Sequence, residues 1–137
     1  MNEFVQVQGW NAAKIHDPSG YDFIGSASVV DLGSVCEKLL KQQWIRNIVS
    51  QSSYTAVLPG GESQTWANTN KFLDPESGFF NPGVRGVKNG SLGSDYNLIV
   101  LYSVGAEEFL VVSIGSKSDT FRYSDISNVL KDLGGNY

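Results

Sequence analysis

Two stretches of this chain are apolar on both alternating faces. Residues 96–102 read Tyr-Asn-Leu-Ile-Val-Leu-Tyr, and residues 109–114 read Phe-Leu-Val-Val-Ser-Ile. Side chains on a strand point alternately to opposite faces, so these runs predict two strands covered on both sides, joined through a hairpin loop at 103–108. A shorter strand is predicted at 84–88. One cover is a helix begun by Ser118 or Asp119, with Arg122, Ile126, Val129, Leu130 and Leu133 along one line and Gly134-Gly135 ending it. The other cover comes from the first half of the chain. There, Val29, Leu32, Cys36, Leu39 and Leu40 recur at helical spacing behind Ser28, with Asp31 three residues on as a short-armed capping partner. A helix over 28–41 follows, then a short one through Trp44, Ile45, Ile48 and Val49 that ends at the polar run Ser50-Gln51-Ser52-Ser53. Residues 54–58 read as a strand turned by Pro59-Gly60-Gly61, with Thr65-Trp66-Ala67 pairing back.

The rest is punctuated by turns. Asp17-Pro18-Ser19-Gly20 is a turn by composition, and residues 74–83 form a surface loop around Phe79-Phe80. Residues 1–9 allow either an alternating strand, with Val5 and Val7 against Gln6 and Gln8, or the end of a helix closed by Gly9. The predicted class is α+β, a small antiparallel sheet with helices on both faces.

Length and charge narrow the picture. At 137 residues the chain is expected to be a single domain, 1–137, large enough for one core. A net charge of −4 with no Lys/Arg cluster argues against a nucleic-acid partner. No apolar run approaches the roughly 20 residues that cross a bilayer, and no basic region followed by an apolar stretch opens the chain. The lone Cys36 rules out an internal disulfide and is expected to pack in the core. One histidine, His16, and one cysteine far apart give no metal-ligand spacing. No phosphate loop or nucleotide fingerprint occurs, so no metal and no cofactor is expected. Glu107-Glu108 is the one paired carboxylate, placed in the predicted hairpin loop, where a solvated turn is the plain reading.

One tripeptide stands out. Lys88-Asn89-Gly90 at the end of a strand places an ammonium beside a residue with no side chain, leaving room for an anionic ligand to lie against the backbone. The same three residues also suit an ordinary turn, with Asn and Gly supplying positive φ.

The order of the surrounding pieces bears on this choice. Asn68-Thr69-Asn70-Lys71-Phe72-Leu73 is followed by Pro82-Gly83-Val84-Arg85-Gly86-Val87-Lys88-Asn89-Gly90, then by the two-strand run, then by Phe121-Arg122 opening a helix. Upstream stand Asp17-Pro18-Ser19-Gly20-Tyr21 and Ser26-Ala27-Ser28-Val29-Val30-Asp31-Leu32. This succession resembles the C-terminal part of the low-molecular-mass penicillin-binding proteins, the serine-type D-Ala-D-Ala carboxypeptidases, which have Asn-Pro-x-Gly-Leu and Ser-Thr-Ala-x-Asp-Leu at the two upstream places. The resemblance makes residues 1–9 a helix end and implies part of a β-lactamase/transpeptidase-like domain.

Active members of that family use a Ser-x-x-Lys helix start, a Ser-x-Asn loop and Lys-Thr-Gly or Lys-Ser-Gly on an edge strand. Neither of the first two patterns occurs in this sequence. The third is matched by Lys88, Asn89 and Gly90 as a substrate-binding element, departing at Asn89, which offers an amide in place of the hydroxyl. The resemblance therefore implies a D-Ala-D-Ala carboxypeptidase-like protein without catalytic residues, a truncated relic or fragment of a hydrolase, whose partner is a peptidoglycan peptide or β-lactam. The alternative expectation is a small interaction module that binds protein or peptide without chemistry. A chain starting at Met1 is expected to be cytoplasmic, and an upstream signal peptide would send it to the cell envelope. In the family the strand matching 109–114 pairs on its far side with an N-terminal strand. Here that edge is expected either to self-associate or to be covered by residues 1–8 or 54–58.

Overall fold

The computed structural model describes residues 1–21 and 24–134. Helix α1, Asn2–Val7, ends before Gly9, whose φ of 78° reverses the chain as the helical reading of this segment requires. Its Asn2 side chain both donates to the Ile15 carbonyl (2.7 Å) and accepts from the Ile15 amide (2.8 Å). The following loop turns at Asp17, which accepts from the Ser19 and Tyr21 amides, and is closed by a bridge between Lys14 and Ser26.

Helix α2 is Val29–Leu40, and Ser28 caps it by accepting from the Asp31 amide at 3.0 Å. The Asp31 side chain is turned elsewhere. It is buried and accepts from the Ala12 amide at 2.9 Å, stitching the N-terminal segment to α2. Helix α3, Gln43–Val49, follows, then the antiparallel pair β1, Ser53–Val57, and β2, Ser63–Ala67. This hairpin is exposed along almost all its length and is tied at its base, where Asn68 bonds the Ser52 and Gln51 carbonyls.

The main sheet is antiparallel, in the order β3, Val84–Leu92; β4, Asp95–Val104; β5, Glu107–Ser116. It is covered twice. Leu98 and Val100 face a core with Phe72, Leu73, Val84 and, from helix α4 (Asp119–Gly134), Tyr123, Ile126 and Leu130. Ile99 and Leu101 face the opposite core, built with Cys36 and Leu40 of α2 and flanked by Val49 and Val87. Burial pushes the Cys36 thiol pKa up. Ser118 caps α4, its hydroxyl accepting from the Phe121 amide at 3.1 Å. The expected end of this helix at Gly135 lies outside the described residues.

Three readings are corrected. Lys88-Asn89-Gly90 is not a turn: these residues pair with Ile99, Leu98 and Asn97 within β3, Gly90 has no positive φ, and the chain reverses instead at Gly93, φ 59°. The hairpin loop expected at 103–108 shrinks to Gly105-Ala106, because Val104 and Glu107 are already paired. Glu108 is therefore a strand residue, and Arg46 of α3 holds it through one nitrogen, Nη1, which donates to both carboxylate oxygens at 2.9 and 3.0 Å. Finally, of the two segments expected as alternatives to self-association at the outer edge of β5, neither residues 1–8 nor residues 54–58 pair with it as a strand. Residues 2–7 are helical, β1 pairs with β2, and among the described residues β5 pairs only with β4.

Candidate functional site

Strand β3 is an edge of the sheet, so Lys88, Asn89 and Gly90 are bonded to β4 on one side and open on the other. The Lys88 side chain is exposed, and its Nζ reaches the Asn89 carbonyl. Beside Gly90 there is space: apart from its own chain neighbours, no atom of the described residues lies within 4 Å of the position a Cβ would take. Asn89 is engaged. Its Oδ1 accepts from the Thr69 hydroxyl at 3.0 Å, and its Nδ2 donates to the Thr69 carbonyl at 3.2 Å. The amide at the middle position thus fastens the segment before Lys71 to the strand, leaving Lys88 as the outward group of the three.

Behind the strand sits Arg122, 4% exposed. Its Nη1 donates to the Gly90 carbonyl (2.9 Å), the Ser91 hydroxyl (3.0 Å) and the Asn97 carbonyl (3.2 Å), and its Nη2 pairs with Asp119 one turn earlier on α4. Asp119 is shared, since Lys71 reaches it at 2.5 Å. Tyr123 completes the support, accepting from the Lys71 amide at 3.1 Å and donating to the Thr69 carbonyl at 3.3 Å, with its ring held edge-on to Phe72. The Lys71–Phe72–Leu73 turn, β3 and the start of α4 are thereby locked into one wall.

That wall faces an open groove of about 1120 Å³. Lys88, Asn89, Gly90, Lys71 and Arg122 line one side, and the 14–21 loop with Lys14 and His16 lines the other. Charge in the groove is mixed, with Asp17, Asp95 and Asp119 also present. Among the described residues no group of His, Cys, Asp and Glu is placed to hold a metal ion.

The Lys71 ammonium hydrogen-bonded to Asp119, with Arg122 nearby, holds the Asp119 carboxyl below its usual range. A depressed carboxylate stabilises the fold at pH values above the unfolded carboxylate pKa, about 3.9, and that stability is lost as pH falls through the folded value. The urea midpoint is therefore expected to drop more steeply below about pH 4 in the natural chain than in Asp119→Asn. Equal slopes for the two proteins would contradict this assignment.

Sequence reading expected Lys88, Asn89 and Gly90 at a strand edge, where they lie, but missed the Lys71, Asp119 and Arg122 relay behind them. One signal was available. Arg122 falls on the apolar line of the last helix, and a cation in an apolar stripe is buried only with partners.

A scan against protein-family models finds no match, and a search of curated proteins finds none. Solved structures do match. The chain superposes on the Streptomyces K15 DD-transpeptidase with a TM-score of 0.81 at 24% identity, over 97% of this chain and 51% of that one. Penicillin-binding protein D2 from Listeria monocytogenes, solved in its cefotaxime-bound form, gives 0.75 at 18% identity, over 97% and 52%. The chain spans about half the length of these structures and has the fold of that half.

Proposed function

We propose that this chain binds the carboxylate end of a peptidoglycan-type peptide, one closing in D-Ala-D-Ala, along the free edge of β3, and does so without forming a covalent bond. The observation that carries the reading is Lys88. It is an exposed ammonium on an edge strand, next to a glycine with open space beside it, at the wall of a groove large enough for a peptide. Similarity of fold to DD-transpeptidases supports a peptide of this kind, and the cefotaxime-bound relative supports a β-lactam as a surrogate ligand. Absence of Ser-x-x-Lys and Ser-x-Asn from the sequence supports binding without acylation by this chain, because serine attack needs an adjacent base. Arg122 and Asn89 act here by positioning: one holds the Gly90 carbonyl, the other holds the Thr69 segment.

Titration calorimetry with an N-acylated peptide ending in D-Ala-D-Ala tests the reading. A charge-assisted hydrogen bond of about 1.5–3 kcal/mol from Lys88 means that Lys88→Ala weakens binding roughly tenfold or more. The same peptide with an amidated C-terminus is expected to bind the natural protein no better than the free acid binds Lys88→Ala. No heat with millimolar peptide would end the binding proposal. A mass increase of one penicillin per chain after incubation with the antibiotic would end the non-covalent one.

A further inference from the structure

Among the described residues no strand lies beside the outer edge of β5, yet the strand is not built like a surface edge. Phe109, Leu110, Val111 and Val112 are each only half-buried, and Ile114 is 42% exposed. Phe121, 57% exposed at the start of α4, lines a shallow depression together with Ile114 and Lys117. A row of unpaired backbone groups flanked by apolar side chains is a template for pairing with another strand. The charges say which strand. Glu107 stands exposed at one end and Lys117 exposed just past the other, and neither has an ion-pair partner among the described residues.

We propose that β5 pairs with β5 of a second copy of this chain, antiparallel about a two-fold axis, so that Glu107 of each copy lies beside Lys117 of the other. A two-fold axis reverses the strand direction, and reversal is what brings the acidic end of one copy to the basic end of the next. With Glu107 opposite Lys117 the axis passes through Val112, so Leu110 to Ile114 carry the apolar contact, and the bulge at Gly115, where the β4 register slips between Tyr96 and Leu98, falls opposite Phe109. The main sheet then continues across the dimer as six strands, three from each copy. This inference is independent of the Lys88 proposal, because β3 lies at the opposite edge.

Sedimentation velocity over a concentration series tests it. The natural protein is expected to dimerise at micromolar concentrations, as befits a small interface. Glu107→Lys and Lys117→Glu each place like charges at both ends, and each is expected to weaken the dimer about tenfold or more. The decisive arm is mixing. Glu107→Lys brings only ammonium groups to the two ends of the strand and Lys117→Glu only carboxylates, so the mixture is expected to dimerise where each variant alone does not. Both positions are exposed, and unchanged circular dichroism would confirm that the variants fold. A strictly monomeric natural protein, or a mixture that stays monomeric, would overturn the proposal.

Discussion

Gly86→Ala is expected to destabilise the chain by about 2–5 kcal/mol, the sum of a backbone term and a packing term. Gly86 sits at the irregularity in β3 where pairing with β4 skips between Val84 and Val87, and its φ is 99°, a conformation L-residues rarely adopt. It is also buried, and a Cβ built there would lie 2.6 Å from the Val49 carbonyl oxygen at the end of α3. Because the obstacle is backbone, no rotamer change relieves it. The bulge and the α3 terminus would have to move apart, opening the core around Val49 and Val87. Chemical denaturation followed by tryptophan fluorescence checks the outcome. A loss below about 1 kcal/mol would show that β3 and α3 are less tightly apposed than described.

Arg122→Met is expected to cost about 2–4 kcal/mol, because it removes the charge-assisted hydrogen bonds of a buried guanidinium while the partly exposed Asp119 keeps Lys71. Methionine keeps much of the volume, so the loss reports the polar contacts rather than a cavity. It takes a donor from the partly buried Gly90 and Asn97 carbonyls and from the exposed Ser91 hydroxyl, and leaves Asp119 with Lys71. Arg122→Lys is expected to recover only part of the loss, since one ammonium does not span the fork that reaches both β3 and Asp119. A neutral Arg122→Met would mean that these acceptors find water in the folded chain.

Most of the architecture was legible in the chain because period and caps agreed with it. Residues 96–102 and 109–114 are apolar on both faces and are covered on both faces, and Ser28 and Ser118 cap the helices they precede. The misplaced pieces have physical causes. Asn-Gly is strong turn chemistry, but Asn89 has Thr69 to bond with and Gly90 has Asn97 opposite, and pairing along the sheet outweighs local preference. Glu107-Glu108 are solvent-exposed as read, but lie on β5 rather than in a turn, and nothing nearby in sequence hints at Arg46, which lies 62 residues away from Glu108. The support of the candidate site was hidden for the same reason: Thr69 meets Asn89, and Arg122 meets the Gly90 carbonyl, only once the sheet and α4 are assembled.

The exposed β1–β2 hairpin and the buried thiol together give the molecule a practical handle. Cys36 is 6% exposed with its pKa raised, so it stays protonated and shielded from alkylating reagents in the folded state. A cysteine introduced near the hairpin tip by Glu62→Cys, at an exposed position without positive φ, would be the one accessible thiol on the chain. A dye or spin label attached there sits on an arm that contributes nothing to either core and lines neither the groove nor the outer face of β5. Peptide capture at one sheet edge and chain pairing at the other can then be followed in a single labelled protein that keeps its native cysteine.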